Sequence, residues 1–230
     1  MPPLLVVEQL NKIYHRHLPD EVTALKNISL QISAGEVVAL TGSSGSGKTT
    51  LLSLLGCMSR PTSGSIQLQD RTVSKLPERF LAQIRRETFG FVFQQYNLLR
   101  DVSVLENVML PLYPSGQSFR AMKKSATAVL ERFELAGMVR KKVNQLSGGE
   151  QQRVAIARAL VTNPKIIIAD EPTAHLDSKL AQNFLQILAD LNGDGKTIII
   201  ATHDPEVYQS PLIQRCINLR HGRMIEDNST

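Results

Sequence analysis

The sequence predicts an α/β fold with a parallel-sheet core, an antiparallel β subdomain toward the N-terminus and an inserted α-helical subdomain. Three observations predict it. Two short, unbroken apolar runs, Ile166 to Ala169 and Ile198 to Ala201, have the composition of strands covered on both faces. A helix-spaced segment, Lys179 to Leu191, lies between them, giving the β-α-β alternation of a parallel sheet. Ahead of both, alternating or β-branched segments follow one another closely, as in a β layer.

Taken in order, Leu4 to Leu10, Thr23 to Ile32 and Glu36 to Leu40 read as strands, with Gly35 marking a turn. Ser63-Gly64 opens another strand, Ser65 to Leu68. These strands are expected to form an antiparallel layer around a glycine-rich loop. From Val102 to about Leu160 the pattern turns helical, most clearly over Ala121 to Leu135, where apolar residues recur at helical spacing between Lys and Arg. Pro111 to Gly116 is the nearest thing to a break. No repeat or long linker divides the chain, so residues 1–230 are expected to form one domain. Its core and β layer lie at about 1–94 and 156–230, and its helical subdomain at about 95–155.

Composition excludes several classes. An apolar fraction of 42% is that of a globular chain, not a disordered one. No apolar run approaches the ~20 residues of a spanning helix. The start, Met1-Pro2-Pro3-Leu4-Leu5, lacks a charged segment followed by a long apolar stretch, so a cytosolic location is expected. Cys57 and Cys216 stand in no metal-binding pattern and are expected to be reduced thiols. A net charge of +5 suits an anionic membrane surface or a polyphosphate ligand. With 5% aromatic residues and no aromatic RNA-binding motif, nucleic acid is not an expected partner. Lys123-Lys124 and Arg140-Lys141-Lys142 read as solvated helix faces.

The chemistry begins at Gly42-Ser43-Ser44-Gly45-Ser46-Gly47-Lys48-Thr49, a G-x-x-x-x-G-K-[ST] loop. The strand Val37 to Leu40 leads in, and a helix-forming run from Thr50 to Leu55 leads out. Gly42, Gly45 and Gly47 let the backbone curl until its N–H groups converge on phosphate oxygens. The helix start adds its dipole, Lys48 supplies positive charge to the β- and γ-phosphates, and the Thr49 hydroxyl suits Mg²⁺. The core is therefore expected to be that of a P-loop NTPase, RecA-like in type. Ile166 to Ala169 ends in Asp170 and Glu171: an acid to hold Mg²⁺, then a carboxylate to orient or deprotonate the attacking water. Ile198 to Ala201 ends in Thr202-His203-Asp204, where a His is placed to contact the γ-phosphate and steady Glu171. His15, His17, His175 and His221 have weaker claims on a role.

Leu146-Ser147-Gly148-Gly149-Glu150-Gln151-Gln152-Arg153 resembles the ABC signature, and with it the whole chain resembles the ABC ATPases. The resemblance implies further roles. Tyr14 would stack on adenine. Gln94, after Phe91-Val92-Phe93, would be the Q-loop glutamine, a Mg²⁺ ligand and γ-phosphate sensor. Ala174-His175-Leu176-Asp177 would be the D-loop, and His203 the switch histidine. It also implies ATP as the nucleotide and a site shared between two copies of the chain. In that site Ser147 and the amides of Gly148 and Gly149, at a helix start, grip the γ-phosphate held by the opposite copy. A permease in the membrane would lie above, placing the chain on the cytoplasmic face of the inner membrane. Glu150 departs from the commoner Gln, and His175 and Ala174 from the commoner Asn and Gly. The runs Phe91 to Leu99 and Leu105 to Leu112 are similar to the lipoprotein-releasing, macrolide-export and cell-division ATPases, which implies export, extraction or mechanotransmission.

Two rivals remain at this stage. A soluble ABC ATPase acting on nucleic acid or ribosomes would be expected to carry tandem cassettes, zinc modules or long coiled-coil insertions, which 230 residues do not contain. A P-loop kinase would have no use for Ser147-Gly148-Gly149. Arg153 and Arg158 fall on the signature helix, where surface charge and tertiary ion pairs account for them as well as function does.

Overall fold

The computed structural model describes residues 3–174 and 176–229. His175, expected in the D-loop, and Met1-Pro2 lie outside the described residues. In chain order the elements are β1 (Pro3–Tyr14), β2 (Val22–Ser33), β3 (Val37–Thr41), α1 (Lys48–Leu55), β4 (Ser63–Leu68), β5 (Arg71–Thr72), α2 (Glu78–Thr88) and β6 (Phe89–Val92). There follow α3 (Val104–Met109), α4 (Phe119–Arg132), α5 (Gly148–Leu160), β7 (Ile166–Asp170), α6 (Ser178–Gly193), β8 (Thr197–Ala201), α7 (Pro205–Tyr208), β9 (Arg215–Arg220) and β10 (Arg223–Ser229).

The strands form two sheets. One is antiparallel, in the order β2-β1-β4-β5; the other runs β10-β9-β3-β8-β7-β6. In the second sheet β9, β3, β8, β7 and β6 are mutually parallel, and only β10 is antiparallel, on β9. This corrects the expectation that Glu36 to Leu40 belongs with the antiparallel layer. As β3 it sits inside the parallel sheet, between β8 and β9. The physical reason is that Val37, Val38, Ala39 and Leu40 are all fully buried, so both faces of the strand are covered.

Side-chain alternation along the central strands divides the interior in two. Val37, Ala39, Ile167, Ala169, Ile198 and Ile200 join a core with α3, α4, α5 and α6. Val38, Leu40, Ile166, Ile168, Ile199 and Ala201 join a second core with α1 and the antiparallel sheet. Each fully buried isoleucine contributes about 1.5–3 kcal/mol of transfer free energy, so these runs bind the two halves together. The break expected near Pro111 is a 3₁₀ segment, Leu110–Ser115, closed by Gly116 at φ 72°. Helix α5 begins with a capping box: Ser147 Oγ accepts the Glu150 N–H, and Glu150 Oε2 accepts the Ser147 N–H at 2.7 Å.

Candidate functional site

The glycine-rich loop runs from the end of β3 into α1, at the C-terminal edge of the parallel strands where α/β sheets place ligands. Two of its glycines are required by space. A Cβ on Gly42 would lie 2.2 Å from the Leu219 carbonyl oxygen, and Gly47 has φ 108° with Leu25 and Ala24 within 3 Å of a built Cβ. Lys48 folds back inside the loop and donates to the carbonyls of Gly42 (2.8 Å) and Ser43 (3.3 Å). It is 6% exposed, so its charge is focused on the loop's concavity.

The ends of β7 and β8 complete the cluster. The Thr49 hydroxyl donates to Asp170 Oδ1 at 3.1 Å, joining residues 121 positions apart. Burial pushes the Asp170 carboxyl above the usual carboxylate range, opposed by the Thr49 hydrogen bond; Glu171 adds to the rise and Lys48 opposes it. Glu171 leaves the strand with φ 44°, a left-handed value rare outside glycine, while its N–H donates to the Ala201 carbonyl at 2.8 Å. That turn sets Glu171 Oε1 3.5 Å from Lys48 Nζ and Oε2 2.9 Å from His203 Nδ1. An ionised carboxylate only accepts, so His203 Nδ1 carries the proton in this contact.

These groups border a cavity of about 670 Å³, lined by Ser43, Ser44, Gly45, Ser46, Gly47, Lys48, Thr49, Thr50, Gln94, Glu171 and His203. Gly42 contributes through the carbonyl that Lys48 engages. The cavity wall also contains Val22 to Ala24, Lys26 and Gly222, to which the sequence did not point, and His221, to which it gave only a weak claim. His221 and Gly222 form the two-residue turn between β9 and β10, at φ 48° and 75°, the sign pattern of a type I′ hairpin. Gly222 ties this turn to the loop, its N–H donating to the Ser46 carbonyl at 3.0 Å. Alternation in Arg215 to Arg220 followed by His-Gly was the available signal of a hairpin.

Other expected residues lie elsewhere. Tyr14 ends β1 opposite Val22, with Lys12 Nζ 4.9 Å from its ring centroid, and does not line the cavity. Ser147, Gly148, Gly149 and Glu150 also stand outside it, at the start of α5. The hydrogen bonds from Ser147 hold the Glu150 carboxyl below its ordinary range. Asp177 caps α6, accepting the Leu180 N–H at 2.9 Å. Among the described residues no three His, Cys, Asp or Glu side chains gather into a metal cluster. The paired Thr49 hydroxyl and Asp170 carboxylate are hard oxygen donors of the kind Mg²⁺ takes together with substrate phosphates.

A family model described as "ABC transporter" matches residues 25–174, and one described as an AAA domain matches residues 142–208. The chain is 45% identical over 227 residues, 99% of its length, to the macrolide export ATP-binding/permease protein MacB of Hyphomonas neptunium. It is 45% identical over 228 residues to the protein of that name from Rhodospirillum rubrum. It spans only 35% and 34% of those relatives, about a third of their length. Among solved structures, it superposes with TM-score 0.88 and 42% identity on a dimeric, post-hydrolysis form of the ATP-binding cassette MJ0796 bound to ADP and Pi, covering 98% of each chain. CbiO1 of Clostridium perfringens, part of the transporter complex cbiONQ, matches with TM-score 0.87 and 31% identity over 100% of this chain and 89% of its own. The chain belongs to the ABC transporter family, as one of its ATP-binding cassettes.

Proposed function

We propose that this chain binds ATP with Mg²⁺ and hydrolyses it as the motor subunit of a membrane transporter. One observation carries the reading: Lys48, Thr49, Asp170, Glu171 and His203, drawn from three separate stretches of sequence, meet around one cavity. The loop amides and Lys48 bind and orient the phosphates. Thr49 and Asp170, with Gln94 at the cavity wall, would hold Mg²⁺. Bound there, Mg²⁺ would neutralise phosphate charge as a Lewis acid. Glu171 orients the attacking water and accepts its proton, and His203 holds Glu171 through Nδ1. Tyr14 stacks on the adenine.

The signature lies outside the cavity, so a complete site takes two copies. Ser147, Gly148 and Gly149 of one copy, with Glu150 and Asp177 in support, close over the nucleotide of the other. ATP binding then stabilises the dimer by mass action. A permease is the remaining partner. A groove of about 710 Å³, lined in part by Phe89, Phe91 and Phe93, with Arg79 and Arg86, supports its docking on this face. The three rings, two on β6 and Phe93 just beyond its end, lie in a row at centroid spacings of 5.9 and 6.0 Å. Among the described residues no helix is long and apolar enough to cross a membrane. In this reading the cassette sits peripherally on the cytoplasmic face of the inner membrane and serves export, extraction or mechanotransmission. The division into a core and β layer (about 1–94 and 156–230) and a helical subdomain (about 95–155) belongs to the same proposal, with α3, α4 and α5 as the helical part.

Mg²⁺-dependent phosphate release tests it. The chain should release phosphate from ATP to water, and Lys48→Ala and Glu171→Gln should each abolish release. Full activity in both variants, or transfer of the phosphoryl group to an added acceptor instead of water, would overturn it.

A further inference from the structure

After β6 the chain brings Gln94 to the phosphate cavity and then enters an unfavourable backbone conformation. Tyr96 and Asn97 both take left-handed φ values, 58° and 49°. L-residues avoid this region, and two in succession persist only where the surroundings over-determine them. The turn's own amides contribute: Tyr96 N–H donates to the Phe93 carbonyl at 2.9 Å, and Asn97 N–H to the Gln95 carbonyl at 2.6 Å. The carbonyls of Tyr96 and Asn97 are then both taken by one side chain. Arg158 Nη2 donates to Tyr96 O and Nη1 to Asn97 O, each at 2.5 Å.

Among the described residues, no carboxylate forms an ion pair with Arg158. A half-buried guanidinium met only by neutral carbonyls is a weak stabilising device. As a geometric device it is specific, because its rigid planar fork fixes two acceptors at once. Lysine, a flexible point charge, cannot reproduce that. The far end of the segment is pinned separately. Fully buried Asn107 accepts the Leu99 N–H at 2.8 Å and donates to the Leu99 carbonyl at 3.0 Å. Gln94 therefore lies between a strand and a turn held from outside. Arg158 sits in the last turn of α5, the helix whose first turn carries the signature, so one rigid rod spans both features.

We propose that Arg158 is a positioning residue for hydrolysis: by forking onto the Tyr96 and Asn97 carbonyls it fixes Gln94 at the phosphate cavity and ties it to the signature helix. This rests on the reading of the cavity as an ATPase site.

The test uses the full chain with Arg158→Lys, Gln94→Ala and both together. Arg158→Lys should lower kcat about tenfold to a hundredfold, the scale of a misplaced reacting group. Affinity for ADP, held by Lys48 and the loop amides, should not change. Amide exchange should rise over residues 94–99 and not in β6 or α5. In the Gln94→Ala background, Arg158→Lys should have no further effect on kcat, because both act through one group. An equal drop in both backgrounds would overturn the proposal, as would loss of protection throughout α5 and β6. Failure of the unsubstituted chain to hydrolyse ATP would sink the proposed function instead. The exchange data would still decide Arg158: ATP must slow exchange at 94–99 in the unsubstituted chain and not in Arg158→Lys, and any other pattern overturns it.

Discussion

The loop end and the signature end of this molecule each present a helix N-terminus, yet they are built differently. At the loop end, Lys48 is almost fully buried, Thr49 reaches Asp170, and Glu171 contacts both Lys48 and His203. The signature end, Ser147 to Glu150, makes its polar contacts largely within itself, through the capping box, and Ser147 and Gly148 are exposed. The first arrangement gathers charge around a cavity. The second holds a helix start rigid and leaves the face of its first turn open. Under the proposed function this difference divides the labour: one end would bind nucleotide and perform chemistry, and the other would meet a phosphate held by a second copy.

Substitutions can break that comparison at either end. The largest effect is expected from Glu171→Gln, which keeps the side chain's shape and removes the proposed base. Turnover should fall by about 10²–10⁴ with nucleotide binding retained, as phosphate release and equilibrium binding would report. Lys48→Ala comes next. It should weaken ATP binding to the isolated chain by about 10²-fold, the scale for losing a charge-assisted donor, as titration with a fluorescent analogue would measure. Ser147→Ala sharpens the contrast. It should cost about 1 kcal/mol of stability through the lost helix cap and depress hydrolysis, while leaving that titration unchanged. If Ser147→Ala weakened binding to the single chain as much as Lys48→Ala does, the division of labour would be wrong.

The smallest effect concerns pH. The Glu150 carboxyl is held below its ordinary range by the hydrogen bonds from Ser147. A carboxyl with a depressed folded pKa contributes stability above its unfolded pKa and loses it as pH falls toward the folded value. Thermal midpoints measured from pH 7 to pH 3 should therefore fall slightly more for the unsubstituted chain than for Glu150→Gln. Parallel curves would mean that the cap works through geometry alone.

How far the sequence was legible depends on where each signal resides. The loop was visible from its G-x-x-x-x-G-K-[ST] spacing, and the Asp170-Glu171 pair and His203 because each follows a run of buried isoleucines; all of these signals are local. Helix α4 was visible from its periodicity, and α6 likewise. Helix α2 was not read, although Leu81 and Ile84, its buried residues, stand at helical spacing. Strand β6 is four residues long with a glycine at its second position, and Gly90 is there because a Cβ would strike the Ala159 carbonyl, a contact no local pattern announces. Strand β3 was grouped with the strands that precede it, although Val37 to Leu40 is an unbroken apolar run of the kind that marks β7 and β8. The His221-Gly222 wall of the cavity was hidden for another reason. It reaches the loop because β9 pairs with β3, with Thr41 opposite Asn218, and that register is tertiary information. Arg158 was indistinguishable from a surface charge until its two carbonyl partners, 61 and 62 positions away, came into view.

Under the proposed function the signature end completes a site on a second copy, and ATP joins the two. The most direct measurement is light scattering coupled to size-exclusion chromatography on Glu171→Gln, with and without ATP and Mg²⁺. The chain should be a monomer without nucleotide and a dimer with it, and a monomer in both conditions once Ser147→Ala is added. A Glu171→Gln chain that binds ATP and stays monomeric, or a dimer indifferent to both ATP and Ser147, would contradict it.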